Sequence, residues 1–503
     1  MAPRNAVTAH LAPAFVVGAV LAGFVPLLSY ALMQGGGVAL DGYVWRVLRF
    51  TLWQATLSTL LSVIPALFLA RALARRAFWG RALVLALFNV PLALPAIVAV
   101  LGIVHVYGAS GWFAGWFTLY GLPGILIAHV FFNMPLATQF FLRALEAVPV
   151  ESHRLAAQQG FSDFNTLRHV DWPVLRTSIG PVAALVFLLC AASFVIVLTL
   201  GGGPQATTLE VAIFQSLRMD FDLSRAASLS LVQIVVCGAL VVLAGSVASP
   251  AATAAPLRQK PYRHDGRERR SRIIDAAMLV IGAAVVIPPV VGIVAAGVQG
   301  LALSPLILQA TLTSVLLATA AAVVSCSLAW SLAQQRLNPV LHKVVPLLAF
   351  IIPPAVIATG WFILTKSWPG GVARAVVFIV ILNALMALPY AVSALAPHFA
   401  RITAHHDRLC EQLGISGWTR LRRIDAPAMA RPLVFAFLLA LVVSLGDLTA
   451  VMLLGSQGLV TMPSLIAQQM GAYRGTAAGG TALLLVVMCY SLTLVAQRIG
   501  RTA

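Results

Sequence analysis

The chain has 503 residues, of which 60% are hydrophobic and only 10% are charged. Typical soluble domains carry about 25% charged residues, so the composition excludes soluble globular proteins and, with its high hydrophobicity, disordered chains. The net charge of +18 would suggest nucleic-acid binding in a soluble protein, but in a membrane protein it marks cytoplasmic loops. We therefore expect an all-α integral membrane protein that is surrounded by membrane lipid and has no nucleic-acid partner.

Twelve stretches are long and apolar enough to cross a membrane, since a spanning helix needs about 20 apolar residues. In chain order they are 11–33, 50–70, 82–106, 121–142, 179–200, 226–248, 275–296, 307–333, 344–365, 375–396, 432–454 and 480–497. With the N-terminus in the cytoplasm, most of the 33 lysine and arginine residues fall on the cytoplasmic side. This bias predicts an even number of spans and two cytoplasmic termini.

The sequence repeats at an offset of 254 or 255 residues. The segment Gln54–Ser58 recurs as Gln309–Thr313, and single residues follow at the same offset: Pro135 with Pro389, Gly160 with Gly414, Pro173 with Pro427, and Gly201 with Gly455. Repeats of this kind are typical of membrane transport proteins. We predict two parallel six-helix halves, 1–248 and 273–503, joined by a basic cytoplasmic linker, 249–272.

Each half contains one long cytoplasmic loop between its fourth and fifth spans. The loops read LAAQQGFSDFNTLRHVDWPVLR (Leu155–Arg176) and LCEQLGISGWTRLRRIDAPAMAR (Leu409–Arg431), and in both a proline follows a glycine by thirteen residues. The pattern predicts a short helix, a break at the glycine, a second helix, and a proline near the start of the next span.

These loops resemble the EAA loop of bacterial ABC importer permeases, in which EAAxxxG is followed by a proline. The resemblance implies the type I, MetI-like fold and a helix that docks on a cytoplasmic ABC ATPase homodimer. The resemblance places the coupling loops at Leu155, Ala156, Ala157, Gly160 and Pro173, and at Leu409, Cys410, Gly414 and Pro427. Both loops depart from the motif at the acidic position, where they carry Arg154 and Arg408, and at the first alanine, where they carry Leu155 and Leu409. In the second loop Cys410 also replaces the second alanine.

Further segments resemble the permeases of thiamine importers. They are Ser62–Leu73, His129–Ala137, Leu200–Arg218, Asn383–Ala391 and Ile402–Leu421. This resemblance implies import of thiamine or its phosphates across the bacterial inner membrane, with delivery by a periplasmic binding protein. Fused permeases for ferric iron share the two-in-one layout, and ferric iron is the alternative substrate.

The substrate pathway has three candidate residues. Asp447 is an acid well inside an expected span, and its counterpart at the offset of 254 is Ser193. A carboxylate in hydrocarbon is costly, so Asp447 must face the bundle interior, where it serves either a cationic substrate or a structural hydrogen bond to a helix end or to Ser444. Trp361 either stacks on an aromatic cation or anchors its helix at the membrane interface.

The turn Gly201-Gly202-Gly203-Pro204 lies outside the membrane in this topology, and it lacks the Lys-Ser/Thr of a phosphate-binding loop. It therefore suggests an outer gate or a contact with a binding protein. No Walker-type motif occurs in the sequence, so ATP and magnesium are expected on a partner ATPase, with no catalytic residue or cofactor here. Five scattered cysteines predict neither disulfides nor a metal site. A stand-alone carrier or membrane enzyme would need acid–base pairs or metal ligands inside the bilayer, and Asp447 has no obvious partner in the sequence.

Overall fold

The computed structural model describes residues 6–33, 41–247, 268–302, 304–334, 345, 352–365, 367–456 and 458–501. Within these ranges the chain is helical and contains no strand, so the all-α expectation is confirmed. The first half contains α1 (Ala6–Met33), α2 (Gly42–Arg75), α3 (Arg81–Ala93), α4 (Ala96–Tyr107), α5 (Leu122–Glu146), α6 (Val150–Gln158), α7 (Asp163–Thr166), α8 (Trp172–Ala191), α9 (Val195–Leu200), α10 (Leu209–Arg218) and α11 (Leu223–Val247). The second contains α12 (Arg269–Gln299), α13 (Pro305–Gln334), α14 (Pro354–Thr365), α15 (Gly371–Gln412), α16 (Gly417–Arg420), α17 (Ala426–Leu445), α18 (Thr449–Leu454), α19 (Met462–Gly471) and α20 (Gly475–Arg501).

Ten described helices are long and apolar enough to cross a membrane, and the bent pair α3–α4 raises this number to eleven. The helix axis bends by 113° between α3 and α4. The break falls at Leu94 and Pro95, because proline supplies no backbone N–H and the residue before it disfavours helix. Most of the first part of the expected span 344–365 lies outside the described residues, and its second part is α14. The number twelve therefore stays a prediction.

The fifth expected span of each half is also broken. Span 179–200 divides into α8 and α9 around Ser193, and span 432–454 divides into α17 and α18 around Asp447. These breaks stand at the offset of 254 residues, so the repeat in the sequence has a counterpart in the helix order. Most of the linker 249–272 lies outside the described residues, and α12 begins at Arg269.

The first helix of each half packs against the other half. Helix α1 contacts α14, where the indole N–H of Trp361 donates a hydrogen bond to the carbonyl oxygen of Ala19 at 3.0 Å. Helix α12 contacts α2 and α4, and Gly102 of α4 lies directly against Pro289 and Ile293. Small residues allow such close approach between membrane helices. These reciprocal contacts of α1 and α12 join the two halves, and one buried apolar cluster contains residues from both of them.

Candidate functional site

The loop between the fourth and fifth expected spans of the first half follows the expected pattern. Helix α6 ends at Gln158, and two residues later Gly160 has a φ of +66°, in the left-handed region that favours glycine. The N–H of Phe161 then donates to the carbonyl oxygen of Ala156 at 3.0 Å, which closes the helix end as a Schellman turn. Helix α7 and one π-helical turn follow, and Pro173 stands in the first turn of α8.

The second loop repeats the glycine turn but not the separate short helix. Gly414 has a φ of +62°, and the N–H of Ile415 donates to the carbonyl oxygen of Cys410 at 2.9 Å. However, the segment before Gly414 is the end of α15, a continuous helix of 42 residues that contains Pro397. The prediction of a separate short helix was therefore wrong here. Membrane proteins tolerate proline inside helices, so the proline alone does not end α15.

The two loops present matching apolar side chains to solvent. Leu155 is 58% exposed and Leu409, at the equivalent position, is 50% exposed. Phe164 and Trp418, which are also equivalent, are 66% and 73% exposed. Ala156 and Cys410 are buried beneath them, whereas Ala157 is half-buried, and Pro427, Arg154 and Arg408 are exposed. Large apolar side chains that recur on a polar surface are typical of a protein contact.

A cluster of buried charges, which sequence reasoning missed, holds the first loop. It joins Arg71 and Arg75 of α2, and Arg76 directly after it, to aspartates of the first loop and of α12, namely Asp163, Asp171 and Asp275. The Nε of Arg71 lies 3.0 Å from Asp171, and the Nε atoms of Arg75 and Arg76 lie 2.7 and 2.6 Å from Asp275. Asp163 also accepts a hydrogen bond from Ser271 of α12. The cluster therefore ties the first loop to both halves.

The second loop is held differently. Asp425 is the counterpart of Asp171, but its ionic partner is Arg420 of the same loop, at 3.4 Å. Arg420 also lies 2.6 Å from Asp407 at the end of α15. These partners raise the pKa of the Arg420 guanidinium against the opposing effect of burial. The second loop is thus braced within its own half.

A cavity of about 260 Å³ lies between the two halves. The break between α3 and α4 forms one wall, and α15 with the end of α17 forms the other. Its lining consists of Leu92, Ala93, Leu94, Pro95, Ala96, Asn383, Met386, Tyr390, Val442, Val443, Ser444, Gly446 and Asp447. Gly446 permits this contact between the halves, because a Cβ there would come within 3.2 Å of the Pro95 ring.

The polar groups of the cavity come from the second half. The carboxylate of Asp447 accepts hydrogen bonds from the N–H groups of Thr449 and Ala450 at 3.1 and 2.9 Å, at the start of α18. The amide of Asn383 donates to the hydroxyl of Ser444 at 3.0 Å, and its oxygen, although buried, has no hydrogen-bond partner. Asp447 therefore both caps a helix and lines a cavity. An anionic group and an open acceptor suit a cationic ligand that carries N–H donors.

The other predicted site residues lie elsewhere. Ser193 occupies the break between α8 and α9 in the first half. Trp361 is only 2% exposed, bonded to α1 and packed against Phe378, which is the environment of a packing residue rather than of a cavity wall. The structure does not bring either residue to Asp447 in the cavity lining.

The glycine turn lies against the segment that precedes α5. Gly202 and Gly203 have φ values of +71° and +128°, and a Cβ on Gly202 would come within 3.2 Å of Tyr120. The N–H of Gly121 donates to the carbonyl oxygen of Leu200 at 2.7 Å, just before Gly201. A short 3₁₀ turn starts at Pro204. The turn is therefore a compact contact between two loops.

Sequence reasoning also missed Glu210 in α10. Its side chain is fully buried, and its carboxyl oxygen accepts a hydrogen bond from the amide of Gln233 in α11 at 3.3 Å. Glu210 stands between apolar spans in the sequence, where an acid is expected to face water. Only its position two residues after a helix cap, Thr208, indicated a helix start.

The comparisons with known proteins give one consistent family. Residues 58–254 match the family model described as "Binding-protein-dependent transport system inner membrane component". The chain is 43% identical over 486 residues to the "Thiamine transport system permease protein ThiP" of Salmonella typhimurium, with coverage of 92% of this chain and 90% of that protein. It is 42% identical to the protein of the same name from Escherichia coli, covering 97% and 95%, and 34% identical to that from Haemophilus influenzae, covering 89% and 87%.

Proposed function

Because this chain belongs to the family of thiamine transport system permease proteins, we propose that it is the membrane subunit of an ATP-driven importer of thiamine. The observation that carries the proposal is the identity above 40% across more than nine tenths of the chain. Ferric iron was the alternative substrate, and the similarity to permeases named for thiamine favours thiamine over it. The named relatives are permeases, which supports a role in transport rather than catalysis.

ATP hydrolysis belongs to a partner in this proposal. Two identical ATPase subunits, which hold ATP and magnesium, dock on the two cytoplasmic loops, one subunit on each. The equal spacing of the exposed pairs Leu155 with Phe164 and Leu409 with Trp418 supports two equivalent docking surfaces. Movement of the ATPase subunits is transmitted to the halves as a rigid-body rotation.

The chain lies in the bacterial inner membrane with both termini in the cytoplasm. A soluble binding protein delivers thiamine to the outer face, where the turn Gly201–Pro204 offers a contact or gate. The positive-inside distribution of arginine and lysine supports this orientation. Asp447 belongs to the substrate pathway, and Ser193 occupies the equivalent place in the first half.

Uptake by proteoliposomes tests the proposal. The vesicles contain this chain with its ATPase and internal ATP, and the binding protein with labelled thiamine is added outside. We expect uptake that stops when ATP is omitted, and no uptake of ferric iron delivered by an iron-binding protein. Iron uptake without thiamine uptake would overturn the choice of substrate.

A double variant, Phe164→Ala with Trp418→Ala, tests the docking surfaces. We expect it to lose the ATPase during affinity purification, because exposed aromatic anchors carry much of the binding energy of an interface. Trp79→Ala is the control, since Trp79 is fully exposed in the loop between α2 and α3, outside both docking surfaces. Full retention of the ATPase by the double variant would contradict docking through these loops.

A further inference from the structure

We infer that the cavity between the halves binds the substrate directly, as a site for a heteroaromatic cation. In this site Asp447 faces the positive ring, the free oxygen of Asn383 accepts a hydrogen bond from a ring amine, and Tyr390 offers an aromatic surface. The inference rests on the proposed function, which supplies a cationic substrate. Thiamine carries a permanently charged thiazolium ring and an aminopyrimidine ring, so it has both kinds of group.

The position of the cavity fits a binding site within the membrane. Helix α3 has 13 residues, which rise about 20 Å from its cytoplasmic end, so its break lies deep in the bilayer. Broken helices at the interface between repeated halves form the substrate sites of many transporters. The volume of about 260 Å³ lies just below the roughly 300–1,000 Å³ of small-molecule sites.

The cavity contains hydrogen-bond acceptors that the protein itself does not fully satisfy. Two backbone N–H groups of α18 and the side chain of Thr449 form hydrogen bonds with the carboxylate of Asp447, and a carboxylate offers about four acceptor positions. Nearby, the oxygen of Asn383 is buried without a partner, and the residue is only 4% exposed. An unsatisfied buried acceptor destabilises the fold. A cation with an N–H donor satisfies both groups at once.

The first half shows that the fold does not need these groups. At the offset of 254 residues, His129 replaces Asn383, Leu136 replaces Tyr390, and Ser193 replaces Asp447. Helix α9, the counterpart of α18, begins without any side-chain cap. A carboxylate is therefore not required to start a helix at this break. The acid, the amide and the aromatic ring occur together only in the half that forms the polar wall of the cavity.

The key variant is Asp447→Asn, which removes the charge but keeps an oxygen that can cap α18. We expect the rate of thiamine uptake at subsaturating substrate to fall roughly ten- to a hundredfold, as for loss of a charged partner. ATP hydrolysis stimulated by the binding protein should be retained, because the cytoplasmic loops are untouched. Asn383→Leu should also lower uptake. Asp222→Asn is the matched control, because it makes the same change at a carboxylate that accepts a backbone hydrogen bond at the start of α11 but does not line the cavity, and it should transport like the wild type.

A second measurement does not depend on any variant. Labelled thiamine is bound to the wild-type complex without ATP and without the binding protein, and an uncharged analogue with a thiophene ring in place of the thiazolium competes for it. We expect unlabelled thiamine to compete at least about tenfold more effectively than the neutral analogue, since the charge is part of the recognition.

The outcomes separate this inference from the proposed function. If the wild type takes up no thiamine, the proposed function fails. If the wild type transports thiamine and Asp447→Asn does so equally well, Asp447 is only a helix cap and the inference fails. Should Asp447→Asn not assemble, the competition experiment decides, and equal competition by the neutral analogue overturns the inference.

Discussion

The buried charge cluster predicts that Asp275 stabilises the whole protein. Asp275 is 4% exposed and accepts hydrogen bonds from both Arg75 and Arg76. In Asp275→Asn, two guanidinium groups lose their shared carboxylate, and removing one partner of a buried ion pair costs about 3–5 kcal/mol. The Arg75 side chain is only 3% exposed, whereas that of Arg76 is 21% exposed and can turn towards water. We therefore expect a cost near the lower end, about 3 kcal/mol.

The cysteines provide the assay. All five are buried and free of disulfides, so a dye that becomes fluorescent on reaction with thiols reports unfolding in detergent. We expect Asp275→Asn to lower the unfolding midpoint by roughly 3 °C. Asp222→Asn is the control, because Asp222 pairs with Arg225 on the surface, where both side chains are about 40% exposed, and such pairs contribute about 0–1 kcal/mol. Equal midpoints for Asp275→Asn and the wild type would refute the assigned role of the cluster.

Two further predictions concern glycines. Gly160→Ala and Gly414→Ala should each destabilise their loop by about 1–2 kcal/mol, because both positions need a positive φ. The cost comes from the backbone alone, since neither Cβ would meet an atom within 4 Å. Both variants should bind less ATPase in purification, and normal binding would contradict this. Gly360→Ala should lower the unfolding midpoint, since its Cβ would collide with the α1 backbone and overpacking costs about 1–3 kcal/mol. Gly238→Ala, with open space around it in α11, is the control for both predictions and should change neither ATPase binding nor the unfolding midpoint. A wild-type midpoint for Gly360→Ala would contradict the packing of α1 on α14.

The apolar runs and the two glycine turns were predictable because they depend on local properties. Spanning helices need length and hydrophobicity, and a left-handed helix end needs glycine. The continuous helix before Gly414 was not predictable from Pro397, since whether a membrane helix continues through a proline depends on the neighbouring helices.

The charge cluster was beyond sequence reasoning for a different reason. Arg71 and Asp171 are 100 residues apart, and Arg75 and Asp275 are 200 residues apart. The arginines of α2 fit the positive-inside rule equally well as loop charges, so the pattern alone did not indicate partners.

The cavity was also not predictable from the sequence. Asp447 was recognisable as an intramembrane acid, but the facing wall at Leu94 and Pro95 belongs to the other half.

The fusion of two halves into one chain explains why the site can be asymmetric. In a dimer of identical subunits, any acid at the position of Asp447 would appear twice, once in each half. A substrate with one positive charge needs one carboxylate, and a second buried carboxylate would remain uncompensated at a cost of several kcal/mol. With both halves in one sequence, Ser193 stands where a second acid would be. The same freedom lets the first loop be tied to the other half by the hydrogen bond from Ser271 of α12 to Asp163, while the second loop is held by Arg420 within its own half.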